Sequence, residues 1–450
     1  MRIAHALGWY YPQSLGGTEI YVAGLCRRLR QAGHDVHVAA PEAGRDGTAD
    51  YWHDGTPVFR YPIPASPTRD EAQGKTAARG AELFHRWLAE RCPDILHVHS
   101  LVTGLGLHEL REASRLGIRT VLTHHLPSLG YVCRRGTLLE RDSRPCDGIA
   151  SPRRCAACML ISRGLSVQVA ETLSLLPPRV GRVLGTLSGA LGTGLGMTAS
   201  IDDDARRGRE LSALVDRQVV LNESARRIIA ANGLPTDRIV LNRLGIDHKA
   251  IVRKPTVLEA PTRRPIRVGY LGRIDATKGV RELVLAVTKL SPQVSLTLDV
   301  RGPVRSEAER RLHGELRRIA NRDPRVTFSP EVPSAEAPAT LATFDVLCCP
   351  STWFENGPTV ALEAMSVGTP LIASRLGNLA EIVQDGVNGR LVPPGDVAAL
   401  AAAIGQAADD PAGTIDQWRG HLGAVRSLDQ IADDYLALYA RLDVRQARAS

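Results

Sequence analysis

Two α/β domains, each a parallel sheet flanked by helices, are predicted by three observations. Apolar strand-like runs alternate with helical periodicity in both halves of the chain. The alternation stops at a weakly patterned, proline-punctuated stretch, 248–265, and then restarts. The 450 residues, 44% apolar and 23% charged with no low-complexity tract, suffice for two sizeable cores.

In the first half, 2–7 reads as a strand, 18–32 as an amphipathic helix stopped by Gly33, and 35–40 as the next strand, which makes one βαβ unit. Strands at 95–99, 120–123 and 218–221 extend the sheet, the last followed by a helix at 224–232 that ends at Gly233. In the second half, strands at 266–271, 295–301, 326–328, 345–349 and 370–374 alternate with helices at 280–290, 307–320, 335–343, 360–366 and 397–408. The expected organisation is a Rossmann-like domain at 1–247, a linker at 248–265 and a second Rossmann-like domain at 266–426. Ligands of such sheets sit beyond the carboxyl ends of the strands, so a cleft between two facing domains is the expected place of the chemistry.

The opening stretch, MRIAHALGWYYP, has one basic residue, and His5, Gly8 and Pro12 break its apolar run, unlike a signal peptide. No run approaches the ~20 apolar residues of a spanning helix; 165–197 is interrupted by Glu171, Pro177, Pro178, Arg179 and Arg182. The expectation is a cytoplasmic protein, with peripheral contact at the inner face of the membrane left open. The net charge of +8 suits a polyanionic partner. Half of that excess is local: 131–164 holds seven arginines (134, 135, 141, 144, 153, 154, 163) against Glu140, Asp142 and Asp147. Aromatic content of 4% and no aromatic residue interleaved with that basic patch argue against nucleic acid.

The segment FENGPTVALEAMSVGTPLIAS carries the most chemistry. Glu355 lies in the loop after a strand, Glu363 eight residues on in the following helix, and Pro358-Thr359 fit the helix start. A helix start offers unsatisfied N–H groups and a positive dipole end to a phosphate or a sugar oxygen, and carboxylates accept from sugar hydroxyls. Taken singly, the two glutamates read as solvated surface acids. A second segment, GYLGRIDATKGV, ends a strand at Gly272 and follows it with Arg273 and Lys278, two cations able to neutralise a diphosphate leaving group.

The first segment resembles the E-x7-E signature of the large retaining glycosyltransferase family with two Rossmann-like domains (the GT-B fold, group 1 type), keeping Glu355, Gly357, Glu363, Ala364, Met365, Gly368 and Pro370. It departs from the usual form at Pro358-Thr359. The second segment is similar to the family's G-R-x-x-x-x-K-G element. The resemblance implies that Glu355 contacts the donor sugar and Glu363 the ribose, that the backbone of Asn356, Gly357, Pro358, Thr359 and Val360 cradles the diphosphate, and that Gly272, Arg273 and Lys278 bind the phosphates. It implies retention at the anomeric carbon, no catalytic cofactor, and a helix at 427–450 packing back on the first domain. The Gly16-Gly17 turn of SLGGTEIYV is similar to the family's N-terminal G-G-x-E loop and is expected to contact the diphosphate or the acceptor; Glu19 matches in position without a derivable role. In NRLGID, Arg243-Leu244 interrupts the family's N-G-x-D, leaving Asn242 and Asp247 without assigned roles. The family commonly has a histidine after the strand at 120–123, so His125 is the first candidate for the sugar's other edge and His124 the second. His97 and His99 read as parts of the cleft wall.

Of eight cysteines, Cys26, Cys92, Cys348 and Cys349 read as small buried hydrophobes. Cys133, Cys146, Cys155 and Cys158 form C-x12-C-x8-C-x2-C, whose closing C-x2-C is a half-site for a thiolate metal centre, structural zinc first, an iron–sulfur cluster or four free thiols as alternatives. Similar Cys-bearing inserts occur in a subset of the family. Such an insert, at 131–164, would set a basic surface beside a phosphate-bearing or membrane-presented glycan acceptor. The expected activity is hexosyl transfer from a nucleoside-diphosphate sugar, in cell-surface glycan or glycolipid synthesis. The alternatives are another GT-B enzyme, an epimerase or a phosphorylase, and a non-catalytic metal-stabilised protein binding anionic surfaces.

Overall fold

The computed structural model describes residues 1–14, 16–140, 144–247, 264–321 and 323–442. The predicted linker at 248–265 lies almost wholly outside the described residues. The elements fall into two compact units.

The first unit is built on β1 (Arg2–Ala6), β2 (Asp35–Ala43), β3 (Ala49–His53), β4 (Thr56–Ile63), β5 (Ile95–Val98), β6 (Arg119–Thr123), β7 (Arg217–Val220) and β8 (Ile239–Leu241), in the order β3-β4-β2-β1-β5-β6-β7-β8. All pairings are parallel except the β3–β4 hairpin. That hairpin turns on Asp54-Gly55, both with positive φ (48° and 70°), a type I′ signal legible in the sequence but absent from the prediction above. Helices α1 (Gly17–Gln31), α2 (Ala81–Arg91) and α3 (Leu107–Arg115) cover the sheet. Their apolar faces, among them Phe84, Trp87, Leu107 and Leu110, close a core on Phe59, Tyr61, Leu96 and Val98.

Between β6 and β7 lies a helical insertion: α4 (Pro152–Ser162), α5 (Val167–Ser174), α6 (Pro178–Leu184), α7 (Gly189–Leu195) and α8 (Met197–Leu214). Ser151 and Ser166 cap α4 and α5, and prolines open α4 and α6. Ala156, Met159, Leu160, Ala170, Met197 and Ile201 give this insertion a small core of its own. After β7 comes α9 (Glu223–Ala231), capped by Asn222.

The second unit has β9 (Ile266–Leu271), β10 (Leu296–Arg301), β11 (Val326–Ser329), β12 (Val346–Cys349), β13 (Leu371–Ser374) and β14 (Gly389–Val392), all parallel, ordered β11-β10-β9-β12-β13-β14. Helices α10 (Val280–Lys289), α11 (Glu307–Ala320), α12 (Thr359–Ser366) and α13 (Val397–Asp409) pack over it. The predicted helix at 335–343 splits into a 3-10 turn, Ser334–Glu336, and a five-residue helix, Ala337–Leu341.

The last described helix is α14 (Leu428–Ala440), which belongs to the first unit and packs on α1. Tyr435 and Tyr439 of α14 are wholly buried there, and Tyr21 donates to Tyr435 Oη at 3.1 Å.

Candidate active site

In each sheet the strand order reverses once, between β1 and β5 and between β9 and β12, and a doubly wound sheet opens its crevice at that point. The loops after β9 and β12 carry the two cationic and acidic segments singled out above. Strand pairing Val346↔Val268 and Leu347↔Gly269 makes these loops neighbours although 77 residues separate Lys278 from Glu355.

Lys278 Nζ lies 2.7 Å from Glu355 Oε1. The same oxygen accepts from Ser351 Oγ at 2.6 Å and from the Trp353 indole N–H at 2.9 Å, and the ammonium lies 5.1 Å from the Trp353 ring centroid. Three donors therefore converge on one oxygen of a buried carboxylate, while no bond among the described residues occupies Oε2. A carboxylate bonded through one oxygen and open at the other can accept from a sugar hydroxyl.

Two glycines brace this arrangement. Gly279 has φ of 69°, and a side chain there would overlap the Pro350 carbonyl, so only glycine lets the Lys278 loop close on the 350–358 loop. Thr352 N–H donates to Thr277 O at 2.8 Å across the same contact. Gly377, φ 55°, packs on the Glu355 backbone, and Asn378 N–H donates to Glu355 O at 2.7 Å. Ser351, Trp353, Gly377 and Asn378 were not anticipated from sequence. Only the Leu-Gly-Asn of RLGNLAEI gave a signal, a turn after β13.

The α12 helix starts at Thr359 with Pro358 at its cap and no side chain bonded to its first N–H groups, so Thr359 and Val360 present amides to the loop. Asn356 is buried and Gly357 half-buried beside it. Glu363 is half-buried one turn into α12. Arg273 follows Gly272 at the end of β9 and is largely exposed, near Asp275 Oδ2 (3.4 Å) and Glu309 Oε1 (3.8 Å). Thus Lys278 and Glu355 are brought into contact, while Arg273 pairs with other carboxylates.

In the first unit, Gly16 precedes α1, and Glu19 folds back over it: a Cβ on Gly16 would lie 2.7 Å from Glu19 Oε2, and Ser14 Oγ donates to Oε1 at 2.6 Å. This gives Glu19 a role that its sequence position did not, a carboxylate at the positive end of α1. Gly17 begins the helix itself.

His125 is half-buried and its Nε2 lies 3.1 Å from His99 Nδ1; His99 Nε2 lies 2.9 Å from His5 Nδ1. His97 spans Tyr439 Oη (2.6 Å) and Thr123 Oγ1 (2.7 Å). His124 turns away, buried against Gln218 Oε1 at 2.7 Å. Burial holds these imidazoles neutral, pushing His5 and His125 down to about 3 and His124 to about 4. His5 Nε2 has no bonding partner among the described residues. A buried N–H without an acceptor costs more than an idle lone pair. The proton of His5 therefore belongs on Nδ1, which makes His99 donate from Nδ1 and leaves His125 with its proton on Nδ1, as a donor.

A cavity of about 390 Å³ opens after β1, lined among others by Gly8, Trp9, Glu42, Arg60 and Val102. Arg60 is buried there, donating to the Tyr10 carbonyl (2.7 Å) and Gln13 Oε1 (2.7 Å). The sequence reading did not find it, because its walls come from β1, β2, β4 and the loop after β5.

The four insert cysteines are reduced and half-buried. Gly148 and Ser151 N–H groups point at the sulfurs of Cys146 and Cys155, each at 3.4 Å. Among the described residues, the group whose ligand atoms already lie within 4.8 Å of one another is His5, His97 and His99 rather than three of these sulfurs. Part of the basic patch is spent internally. Arg134 pairs with Asp204 (2.6 Å), Arg154 with Asp147 (2.6 Å), and Arg135 donates to the Leu139 and Glu140 carbonyls.

Residues 265–410 match the family model described as Glycosyl transferases group 1, and 15–170 match Glycosyltransferase Family 4. A stretch in each half of the chain is thus similar to a glycosyltransferase family model. The protein is 26% identical over 462 residues to the alpha-maltose-1-phosphate synthase of Mycolicibacterium smegmatis, covering 98% of this chain and 100% of that one. It is 32% identical over 209 residues to a glycogen synthase of Mycobacterium tuberculosis; that match spans 45% of this chain and only 47% of the relative. Its fold is that of Anabaena HepE, solved in complex with UDP-glucose, at a TM-score of 0.62 and 16% identity over 98% of this chain and 100% of that one. Two α/β units with this structural likeness are the GT-B architecture. No helix of the described residues is long and apolar enough to cross a membrane.

Proposed function

We propose that the protein transfers a hexosyl group from a nucleoside-diphosphate sugar to an acceptor hydroxyl with retention at the anomeric carbon. The reading rests on the Lys278–Glu355 pair at the β9/β12 switch point beside the open amides of α12. The bond from the anomeric carbon to the diphosphate breaks, and Lys278, Arg273 and the amides of Thr359 and Val360 take up charge on the leaving group. Glu355 Oε2 holds a donor-sugar hydroxyl, Glu363 the ribose, and His125 donates from Nδ1 to the sugar's other edge. Gly16 and Gly17 line the diphosphate or acceptor path. The bond from the acceptor oxygen to the anomeric carbon forms as its proton passes to the leaving phosphate. The solved complex of HepE with UDP-glucose supports a nucleotide-sugar donor.

The cavity after β1 is proposed as the acceptor subsite, its buried arginine suiting a polar or phosphate-bearing glycan presented at the inner membrane face, in cell-surface glycan or glycolipid synthesis. Cys133, Cys146, Cys155 and Cys158 are proposed to hold a structural zinc ion. The donor type supports the reading, four thiols with backbone N–H groups aimed at two of them, although the structure does not gather three of the sulfurs within 4.8 Å of one another. Bound there, zinc would tie the loop before α4 to the helix and take no part in catalysis.

The deciding experiment is release of nucleoside diphosphate from a panel of nucleotide sugars by wild type and Glu355→Ala. Release from one donor, abolished by the substitution, supports the reading. Neither release nor binding of any donor would overturn it.

A further inference from the structure

The insertion between β6 and β7 carries a surface that sugar transfer leaves unexplained. Twelve large apolar side chains are exposed among the described residues, and seven of them lie between Val167 and Leu191. Val180 and Val183 lie on α6, Leu187 in the turn after it and Leu191 on α7. Val183 is 70% exposed and Leu191 65%. The other side of the same stretch is glycine. Gly181 abuts Thr198 of α8, and Gly185 approaches Gly196 backbone to backbone. Here the small residues face inward and the aliphatic ones face water, the reverse of an ordinary surface helix.

The charge of the insertion is as one-sided as its apolar face. From Pro152 to Leu195 there are five arginines (153, 154, 163, 179, 182) and a single acid, Glu171, an excess of +4 within a chain of +8. Arg154 pairs with Asp147, and Arg182 with Asp202 and Asp203. Arg153, Arg163 and Arg179 are exposed with no carboxylate partner among the described residues.

We propose that α5 to α7 are a docking surface for an anionic lipid bilayer, with the exposed Val and Leu side chains entering the acyl region and Arg163 and Arg179 meeting lipid phosphates. The charge complementarity favours a bilayer, and so does the composition. Protein interfaces draw their energy from Trp, Tyr and Arg anchors with Leu and Val under-represented, and α5 to α7 hold no aromatic residue. Aliphatic insertion plus basic charge is the pair of signals that makes a peripheral contact stable. The proposal gives a place to the membrane contact suggested above, and its test does not depend on sugar transfer.

The full chain is sedimented with vesicles of phosphatidylcholine alone and of phosphatidylcholine mixed equally with phosphatidylglycerol. Binding to the mixed vesicles, weakened by salt, is expected. Val183→Glu/Leu187→Glu/Leu191→Glu should lower partitioning at least about tenfold, since Val and Leu side chains each lose their burial in lipid. Arg163→Glu/Arg179→Glu should weaken binding to the mixed vesicles by about fivefold or more per arginine and abolish the preference for them. All five positions are exposed, so both variants should melt as wild type does. Failure of wild type to sediment with either vesicle, or a triple variant that binds as wild type, overturns the proposal. So does self-association in sedimentation velocity that the triple variant abolishes without vesicle binding, which would give these side chains to a second copy of the chain. Nucleotide release is measured in parallel: its absence with vesicle binding intact removes the catalytic reading alone, and its presence without vesicle binding removes the docking surface alone.

Discussion

At the scale of single residues, Lys278 and Glu355 work as a pair. Lys278→Met leaves a buried carboxylate held by two neutral donors, and Glu355→Gln leaves an ammonium facing an amide. Each single change should cut nucleotide release at least about a hundredfold, the size expected for losing one electrostatic contact to a developing charge. In denaturant titrations, the double variant should be less destabilised than the sum of the singles by about 1–3 kcal/mol, because the pair is removed together; strict additivity would mean the contact is not formed. The histidine relay makes two further statements. Selective 15N labelling of histidine should show His125 protonated at Nδ1, and an Nε2–H signal would reverse the direction of the chain deduced from His5. Because folding lowers the pKa of His5 and His125 from 6.5 to about 3, the unfolded chain binds more protons below pH 6.5. Stability is then complete above pH 6.5 and falls as pH drops toward 3, by about 1.4 kcal/mol per pH unit for each histidine so shifted. Melting temperatures that stay flat across that window would contradict the burial of the relay.

At the scale of elements, the site depends on how two loops are stitched. Gly377 holds a left-handed backbone against the peptide of Glu355, a contact that a methyl group cannot enter. Gly377→Ala should cost about 1 kcal/mol or more for the conformation alone, with steric displacement added. It should lower nucleotide release while leaving the secondary structure seen by circular dichroism intact. An alanine variant with wild-type turnover would show that Glu355 is positioned by its side-chain donors alone. The cysteine insertion is the other element whose local chemistry can be read directly. Near one equivalent of zinc in the purified protein, released by acid together with a fall in the melting temperature, is expected; neither zinc nor iron would leave four free thiols.

At the scale of the whole molecule, α14 ties the last described residues of the chain to α1, β5 and β6. Tyr435 and Tyr439 sit at zero exposure, bonded to Thr123 and His97, so the carboxyl-terminal helix is core to the first unit and not an appendage. Truncation before Leu428 should therefore open the first unit to proteolysis at concentrations where the intact chain resists, with the nucleotide binding of the second unit retained. A truncated chain as resistant as wild type would place the stability of the first unit elsewhere.

The sequence by itself determined most of the two sheets. Their strands are short, largely apolar runs, β5 and β12 buried on both faces and β10 alternating, and their helices have one apolar stripe, so β1, α1, β9, α11 and β12 could be read from period alone. The glycosyltransferase likeness was also legible, since the Glu355–Pro370 and Gly272–Gly279 segments are contiguous words. Only the tertiary structure decided which words touch. Strand order made neighbours of β9 and β12, and so joined Lys278 to Glu355 and brought in Ser351 and Trp353, none of which a linear pattern can connect. The same limit hid the hydrogen-bonded line from His5 to His125, drawn from three strands. It also hid the outward face of α6 and α7: glycine-rich segments carry little periodic signal, and which side of such a helix meets water is set by the close backbone packing that glycine permits.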